Sequence, residues 1–237
     1  MLTRILDHHG LKVLTRLRKS TLIADFYLAG GTGLALQLGH RKSLDLDFFQ
    51  RSTAPEIRVA NIQSELEDLF GPYRVIPVAR QAEQSIWNLE GINTAFLAYP
   101  FPLLYPLVRG ESLYPELEGV VLASPKEIAL MKAYAIGRRP VFRDYVDLFY
   151  LLERQHTTIE EIVREGQRKF AWQGEGLFNP RLFLEQLVYT EDLEDKEVAL
   201  ELLDGRNLTH HEVESHLTRL VRDFLSRQTG IESEGTP

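Results

Sequence analysis

The segment 27–49, YLAGGTGLALQLGHRKSLDLDFF, constrains the fold of this chain more than any other segment. Its last residues alternate between apolar and acidic side chains, which is the two-residue period of a β-strand with one buried face. The alternation predicts a strand over Leu44–Phe49. Leu44, Leu46 and Phe48 should face the core, and the acidic side chains should leave the sheet on its other face.

Two aspartates, Asp45 and Asp47, occupy that other face. Residues i and i+2 of a strand lie roughly 6.5 Å apart, so the two carboxylates can hold a hard divalent cation such as Mg²⁺ or Mn²⁺. Such a cation keeps water ligands that phosphate oxygens can displace. The alternative is an exposed strand face that carries two acids without a function.

The glycine pair Gly30-Gly31, followed by Thr32, stands between a short apolar strand and a helical pattern. A glycine-rich turn at the start of a helix presents backbone N–H groups to an anion. Beside the acidic strand, such a turn would hold a triphosphate next to the metal, which is the layout that nucleotidyl transfer needs. The alternative is an ordinary tight turn.

Composition excludes several other classes of protein. The chain has 237 residues and no cysteine, so it has no disulfide framework, no thiolate nucleophile and no Cys-based zinc site. The sequence lacks a signal-peptide pattern and an apolar run of membrane-spanning length, and we expect a cytoplasmic protein with no membrane partner. The formal net charge is −7, but the first fifty residues hold seven Lys or Arg and four Asp or Glu. A local positive surface is therefore compatible with the acidic total.

Hydrophobic periodicity predicts an α+β fold. Strands are expected at 26–29, 44–49, 73–78, 85–89, 92–99 and 120–122, with a hairpin turn at Glu90-Gly91. Helices are expected in the first twenty residues and at 55–70, 124–136, 141–155, 158–170, 180–189, 195–203 and 210–227. These elements predict an α+β domain with an N-terminal helix over 1–122, an all-helical domain over 123–230 that completes the active-site cleft, and a flexible tail over 231–237.

Two of these helices begin with a capping box, in which a Ser or Thr side chain and a Glu three residues later cap each other's backbone N–H groups. The first box pairs Ser124 with Glu127, and Pro125 follows at the first helical position. The second pairs Thr209 with Glu212.

The pattern LAGGTGLALQLGHRKSLDLDFF resembles the motif of DNA-polymerase-β-type nucleotidyltransferases, a glycine pair followed by Asp-x-Asp. More narrowly, GHRKSLDLDFF and a second block, EIALMKAYAIGRRPVFRDYVDLFYLL at 127–152, are similar to the AbiEii/AbiGii-type nucleotidyltransferase toxins of abortive-infection and toxin-antitoxin systems. Members of that family have a lysine-bearing helix followed by a helix with RD-x-x-D-L. The resemblance spans about 25–155 and implies a polymerase-β-like mixed sheet.

The second block also carries information of its own. Residues 142–152 are apolar almost all round a helix, which indicates burial, except for a polar stripe of Arg143, Asp144 and Asp147. Charged groups on a buried helix need partners or a cleft. An ion pair between Arg143 and Asp147 would satisfy both without a function. The alternative is a phosphate-binding cleft with charge from the preceding helix, from Lys132, Arg138 and Arg139.

This sequence departs from the polymerase-β pattern at one place. A third carboxylate often stands on a later strand, where INTAFLAYP has Asn93, Thr94 and Ala95. Either Asp147 or, as a weaker candidate, Glu90 completes the site, or one metal suffices, or the protein is a weak enzyme.

The resemblance implies an NTP-dependent nucleotidyltransferase that moves an NMP to an acceptor and releases pyrophosphate, with Mg²⁺ or Mn²⁺ as the cofactor. The catalytic residues would be Asp45, Asp47, Lys132 and Asp147, with the metal on Asp45 and Asp47. Lys132 would neutralise charge on the triphosphate, and Asp147 would ligate metal or act as a base. The nucleotide-binding residues would be Gly30, Gly31, Thr32, Arg41, Ser43, Arg139 and Arg143.

The resemblance further implies an RNA acceptor, such as the 3′ end of a tRNA, and a cognate antitoxin as partner. Two alternatives remain. The first is a nucleotidyltransferase for a small aminoglycoside-like alcohol, which the acidic C-terminal helices favour. The second is a catalytically lapsed domain that only binds nucleotide or a partner protein, which the missing third acid favours.

Overall fold

The computed structural model describes residues 2–139 and 141–229, and the tail predicted over 231–237 lies outside the described residues. The chain divides into two compact units, Met1–Ile128 and Ala129–Pro237. The boundary between the units falls inside a helix, Pro125–Ile136, whose first turn belongs to the first unit.

The described part of the first unit forms a seven-stranded mixed sheet with helices. Its strands are β1 (Phe26–Leu28), β2 (Leu46–Gln50), β3 (Val75–Arg80), β4 (Gln84–Leu89), β5 (Ile92–Leu97), β6 (Val108–Arg109) and β7 (Val121–Leu122). Its helices are α1 (His8–Leu17), α2 (Gly30–Leu38), α3 (Val59–Phe70) and the first turn of α4 (Pro125–Ile136). Short 3₁₀ turns lie at Leu2–Arg4, Leu22–Asp25, Pro72–Arg74, Gly110–Ser112 and Pro115–Leu117.

The strand order is β3-β4-β5-β2-β1-β7-β6, so β2 lies in the middle of the sheet. β2 runs antiparallel to β1 and parallel to β5, with Asp47 opposite Ala95. Because β1 and β2 are antiparallel, the carboxyl end of β1 lies beside the amino end of β2. Ala29, which follows β1, donates its N–H to the carbonyl oxygen of Asp47 at 2.9 Å. The glycine turn and the acidic strand therefore meet at one end of these two neighbouring strands.

The acidic strand has the two faces that the alternation predicts. Leu46 and Phe48 are fully buried in the core, whereas Asp47 and Phe49 are half-buried on the opposite face. The prediction for Leu44 was wrong, because β2 begins only at Leu46 and the side chain of Leu44 is 52% exposed. Leu44 lies in the irregular segment before the strand, where no pleat fixes which way a side chain points.

The hydrophobic core of the first unit lies between one face of the sheet and the helices α1 and α3. Trp87 and Leu89 of β4 contribute fully buried side chains to it, as do Leu14 and Leu17 of α1. The predicted hairpin between β4 and β5 is confirmed.

The second unit is mainly helical. It contains the remainder of α4, then α5 (Phe142–Glu153), α6 (Ile159–Lys169), α7 (Pro180–Val188), α8 (Lys196–Glu201) and α9 (His210–Thr229). A small antiparallel hairpin of β8 (Ala171–Trp172) and β9 (Glu175–Gly176) follows α6, and the sequence did not predict it. The molecule has the predicted α+β fold.

The two capping boxes turn out differently. Thr209 and Glu212 form the full reciprocal pair, since Thr209 donates its N–H to Glu212 Oε2 at 2.8 Å and Glu212 donates its N–H to Thr209 Oγ1 at 3.2 Å. Ser124 accepts the N–H of Glu127 at 3.3 Å. The Glu127 carboxylate, however, accepts the backbone N–H groups of Leu104 and Tyr105, each at 3.1 Å. Glu127 therefore fastens the proline-rich segment 100–106 to α4.

Within residues 2–139 and 141–229, none of the helices combines the length and the apolar composition that a membrane span requires.

Candidate active site

The amino-terminal turn of α2 lies directly against the carboxylate of Asp47. Gly30 begins the helix with a φ of +58°, and a Cβ at Gly30 would lie 2.3 Å from Asp47 Oδ2. A side chain here would therefore have to displace the carboxylate, and the left-handed backbone also favours glycine. Because Gly30 has no side chain, the Asp47 carboxylate can lie beside the start of α2, where backbone N–H groups are available for anions.

Arg41 lies over the second glycine of the pair. A Cβ at Gly31 would lie 2.1 Å from Arg41 Nη2. The Arg41 side chain is buried, and its Nη1 donates to the carbonyl oxygen of Lys42 at 2.9 Å. A fixed guanidinium thus adds its positive charge to the positive end of the α2 dipole, so the turn is suited to phosphate.

Thr32 and Ser43 join α2 to the segment before β2. Their hydroxyl oxygens lie 2.6 Å apart, and the Thr32 hydroxyl also donates to the carbonyl oxygen of Asp45. Because Thr32 has one hydroxyl proton, Ser43 donates to Thr32. Both side chains are buried, so we assign their hydroxyls to holding Asp45 in position, and a contact of Thr32 with phosphate would use its backbone N–H.

Asp45 and Asp47 are both half-buried, while Leu46 between them is fully buried. Asp47 lies within β2 on the face opposite the core, whereas Asp45 lies in the irregular segment just before the strand. This donor set fits Mg²⁺, which proteins usually bind through one or two carboxylates with water and substrate phosphates as the other ligands. No cluster of three or more His, Asp or Glu side chains suited to a metal occurs in the part of the chain that the structure describes.

Glu90, the weaker candidate for a third acid, is engaged elsewhere. Its carboxylate pairs with Lys12, Arg16 and Arg74 at distances of 2.8, 3.0 and 2.9 Å. Because three cations already neutralise this carboxylate and would repel a further cation, Glu90 is not a suitable metal ligand.

An aromatic wall stands beside Asp47 on the same face of the sheet. Phe49, two residues after Asp47, stacks on Tyr27 with ring centroids 5.9 Å apart and meets Tyr99 edge-on at 5.2 Å. Burial, and secondarily the Glu127 carboxylate, raise the pKa of the Tyr27 hydroxyl far above its usual value, so this wall stays uncharged. The sequence reasoning did not single out these aromatic residues, although the i+2 spacing of Phe49 from Asp47 placed both on one face.

In the second unit, Lys132 of α4 pairs with two carboxylates of α5. Lys132 Nζ lies 2.5 Å from Asp144 Oδ1 and 2.7 Å from Asp147 Oδ2. All three side chains are at least nine-tenths buried. A buried charge that loses its partner is strongly destabilising, so this ion triad fixes the position of the ammonium group.

Asp144 is absent from the predicted site residues, yet it makes the shorter contact with Lys132. The polar stripe on α5 was the signal that could have included it, since Asp144 and Asp147 are three residues apart on one helix face. The two predicted arginines lie nearby in the chain. Arg139 is largely exposed, with Nη2 4.0 Å from Asp144 Oδ2, and Arg143 is half-buried on α5.

Replacing Gly30 by alanine should cost more stability than replacing Gly39, which has nearly the same φ of +61° but open space at its Cβ position. A left-handed residue with a Cβ costs about 1–2 kcal/mol, and we expect that loss for Gly39→Ala. Gly30→Ala should lose this and also displace Asp47, so it should lower any activity that depends on the Asp47 carboxylate as well. Urea denaturation and a turnover assay of both variants measure the two effects. Equal losses of stability with full activity in both would contradict the contact between Gly30 and Asp47.

A mixed sheet in which a glycine turn meets a strand that carries the end of an Asp-x-Asp motif, with a lysine-bearing helix later in the chain, is the arrangement expected of a nucleotidyltransferase. The model of the family described as nucleotidyl transferase AbiEii toxin, type IV toxin-antitoxin system, matches residues 12–234. The chain belongs to this family, which confirms the predicted family and the predicted enzyme class.

Three known proteins are similar to this chain. An uncharacterized protein of Aquifex aeolicus (strain VF5) is 30% identical over 201 residues, which cover 85% of this chain and 88% of the relative. The crystal structure of a protein from H. pylori described as a nucleotidyltransferase is similar with a TM-score of 0.51 and 16% identity, covering 96% of this chain and 97% of that one. The nucleotidyltransferase toxin MenT4 of Mycobacterium tuberculosis H37Rv matches with a TM-score of 0.41 and 15% identity, over 90% of this chain and 94% of the other.

Membership of a nucleotidyltransferase toxin family implies an NTP substrate and a cognate antitoxin. The roles of single residues in this chain stay predictions.

Proposed function

We propose that this protein is a Mg²⁺-dependent nucleotidyltransferase that transfers an NMP from an NTP to an RNA hydroxyl, such as that at the 3′ end of a tRNA, in the cytoplasm. The observation that carries this proposal is the position of the Asp47 carboxylate against Gly30, at the start of α2. A metal-binding carboxylate and a phosphate-binding turn are the two parts that bring a triphosphate and its cation together.

Residues of the first unit bind the nucleotide in this proposal. The backbone N–H groups of Gly30, Gly31 and Thr32 and the guanidinium of Arg41 hold phosphate oxygens, and Ser43 holds the Asp45 segment. Asp45 and Asp47 would hold Mg²⁺, or Mn²⁺ in its place. When bound, the cation would neutralise negative charge on the phosphates. We assign these groups to a nucleotidyltransferase domain over residues 1–122 and propose a helical domain over 123–230.

The chemical step needs one bond formed and one bond broken. The oxygen of the acceptor hydroxyl attacks the α-phosphorus, the bond from that phosphorus to the bridging oxygen breaks, and pyrophosphate leaves. We assign Lys132 to the neutralisation of charge on the triphosphate. Asp147 is assigned either to accept the proton of the hydroxyl or to ligate metal, while Arg139 and Arg143 contribute positive charge for phosphate.

The choice of acceptor is tested with NTPs labelled on the α-phosphate. Each of the four NTPs is incubated with Mg²⁺ and either bulk tRNA, total RNA or an aminoglycoside, and the products are separated by gel electrophoresis and thin-layer chromatography. We expect label on RNA. Label on the aminoglycoside alone would support the small-molecule alternative, and tight NTP binding without transfer to any acceptor would support the lapsed domain.

A further inference from the structure

The positive surface that the charge distribution allows is found on α1. Residues 8–24 contain four Lys or Arg and no Asp or Glu, in a chain with a net charge of −7. Lys12 and Arg16 are separated by one helical turn, about 100° around α1 from the buried Val13 and Leu17. Their charged groups reach the surface, since the side chains are 45% and 36% exposed.

Glu90, in the turn of the hairpin between β4 and β5, gathers these cations together with Arg74. Lys12 Nζ lies 2.8 Å from Glu90 Oε2, and Arg16 Nη1 and Arg74 Nη1 lie 3.0 and 2.9 Å from Oε1. One carboxylate neutralises one cation, so two positive charges are left in excess. The guanidinium of Arg16 also lies 5.3 Å above the ring of Phe70, which restricts it further.

The backbone of Glu90 indicates that this arrangement is more than an incidental surface ion pair. Glu90 has a φ of +51° and Gly91 a φ of +95°, and this conformation favours Asn, Asp or Gly at both positions of a hairpin turn. The Glu90 side chain is only 10% exposed, whereas those of Lys12, Arg16 and Arg74 are 45%, 36% and 60% exposed. The glutamate at this left-handed position therefore holds three cations in fixed positions while their charged groups stay at the surface.

A phosphodiester chain fits this surface. Cations one helical turn apart stand about 5.4 Å from each other along the helix, and a flexible polyanion can contact several of them at once. Tyr73, next to Arg74 in the chain, is 97% exposed. An exposed ring beside fixed cations is the combination with which proteins bind single-stranded nucleic acid, because bases stack on the ring while the cations contact phosphates.

We propose that Lys12, Arg16, Tyr73 and Arg74, here called the α1 basic surface, bind the phosphodiester backbone of the RNA acceptor. The proposal rests on the proposed function, which makes RNA the acceptor. Glu90 acts in it as a positioning residue that holds the three cations.

Binding of fluorescently labelled bulk tRNA, followed by anisotropy over a series of KCl concentrations, tests this proposal. Each phosphate contact contributes about 0.7–0.9 to the slope of log affinity against log salt. The double variant Lys12→Gln/Arg16→Gln should therefore lose about 1.4–1.8 from this slope and bind tRNA on the order of tenfold more weakly. Tyr73→Ala should weaken binding without changing the slope.

The matched control is Arg164→Gln/Arg168→Gln on α6. These two arginines are also one helical turn apart, are exposed and share one carboxylate, that of Glu165. The control should bind tRNA as the unmodified protein does. Equal losses in the two double variants would mean that only net charge matters and would overturn the proposal.

Two further outcomes separate this proposal from the proposed function, because the binding assay requires no turnover. If Lys12→Gln/Arg16→Gln lowers the salt slope of tRNA binding but the unmodified protein transfers no label to RNA, the RNA-binding role of the α1 basic surface is supported and the proposed function is contradicted. If the unmodified protein transfers label to RNA but Lys12→Gln/Arg16→Gln binds tRNA with unchanged affinity and salt slope, the RNA-binding role of the α1 basic surface is overturned and the proposed function stands. If Lys12→Gln/Arg16→Gln fails to fold by circular dichroism, the single variant Arg74→Gln decides, since its side chain is 60% exposed, and an unchanged slope in it would overturn the proposal.

Discussion

Replacing Asp47 by asparagine should lower the rate of nucleotidyl transfer by a factor on the order of 10³ and leave the fold intact. Asparagine keeps the size of the side chain and its hydrogen-bonding oxygen but removes the charge that binds the cation. The loss of several kcal/mol of transition-state stabilisation that a metal supplies corresponds to about this factor, at roughly 1.4 kcal/mol for each tenfold change. Steady-state kinetics with an α-labelled NTP measures it.

The control for Asp47→Asn is Asp68→Asn, which removes the same charge from an exposed position on α3. It should leave the rate unchanged. A comparable fall in both variants would assign the effect to net charge, and an unimpaired Asp47→Asn enzyme would mean that Asp47 is not a metal ligand. Asp45→Asn should behave like Asp47→Asn, because the proposed function assigns both carboxylates to the same cation.

Replacing Lys132 by methionine should destabilise the protein by about 3–5 kcal/mol, because it leaves Asp144 and Asp147 as buried charges without their common partner. Methionine fills nearly the same volume, so lost packing contributes little. Urea denaturation should show a lower midpoint with an unchanged slope. Nucleotidyl transfer should also be lost in a folded preparation.

Two further variants show whether the loss of stability comes from the buried ion triad. Lys126→Met, on the first turn of the same helix and partly exposed, should cost less than about 1 kcal/mol. Adding Asp144→Asn and Asp147→Asn to Lys132→Met removes the stranded charges and should restore most of the stability without restoring activity. Lys132→Met with the stability of the unmodified protein would contradict the buried triad, and full activity in the triple variant would remove Lys132 and Asp147 from the catalytic residues.

Local patterns predicted those parts of the fold that depend on neighbours in the sequence. The alternation in LDLDFF predicted the two faces of β2 correctly, and Thr209 and Glu212 cap each other as expected. Leu44 was misplaced because alternation alone does not tell where a strand begins. Glu127 caps the segment 100–106 instead of its own helix, because that segment supplies backbone N–H groups from more than twenty residues away, which no local pattern reveals.

The candidate site shows the same limit. The position of Asp47 against Gly30 could be predicted from spacing, since β1, α2 and β2 follow one another in the chain. The contact of Asp144 with Lys132 depends on how two helices pack, and a helical wheel of α5 shows only that its polar residues need partners. The engagement of Glu90 by three cations likewise joins α1, a 3₁₀ turn and a hairpin that are far apart in sequence.

The central claim is that the α-phosphorus of an NTP is transferred, and comparing the two ends of the triphosphate tests it most directly. NTP labelled on the α-phosphate and NTP labelled on the γ-phosphate are incubated separately with Mg²⁺, tRNA and the unmodified protein, with Asp47→Asn in parallel. Nucleotidyl transfer predicts the α label on RNA and the γ label in pyrophosphate, with both signals lost in the variant. The γ label on RNA, or labelled orthophosphate as the direct product, would contradict the claim.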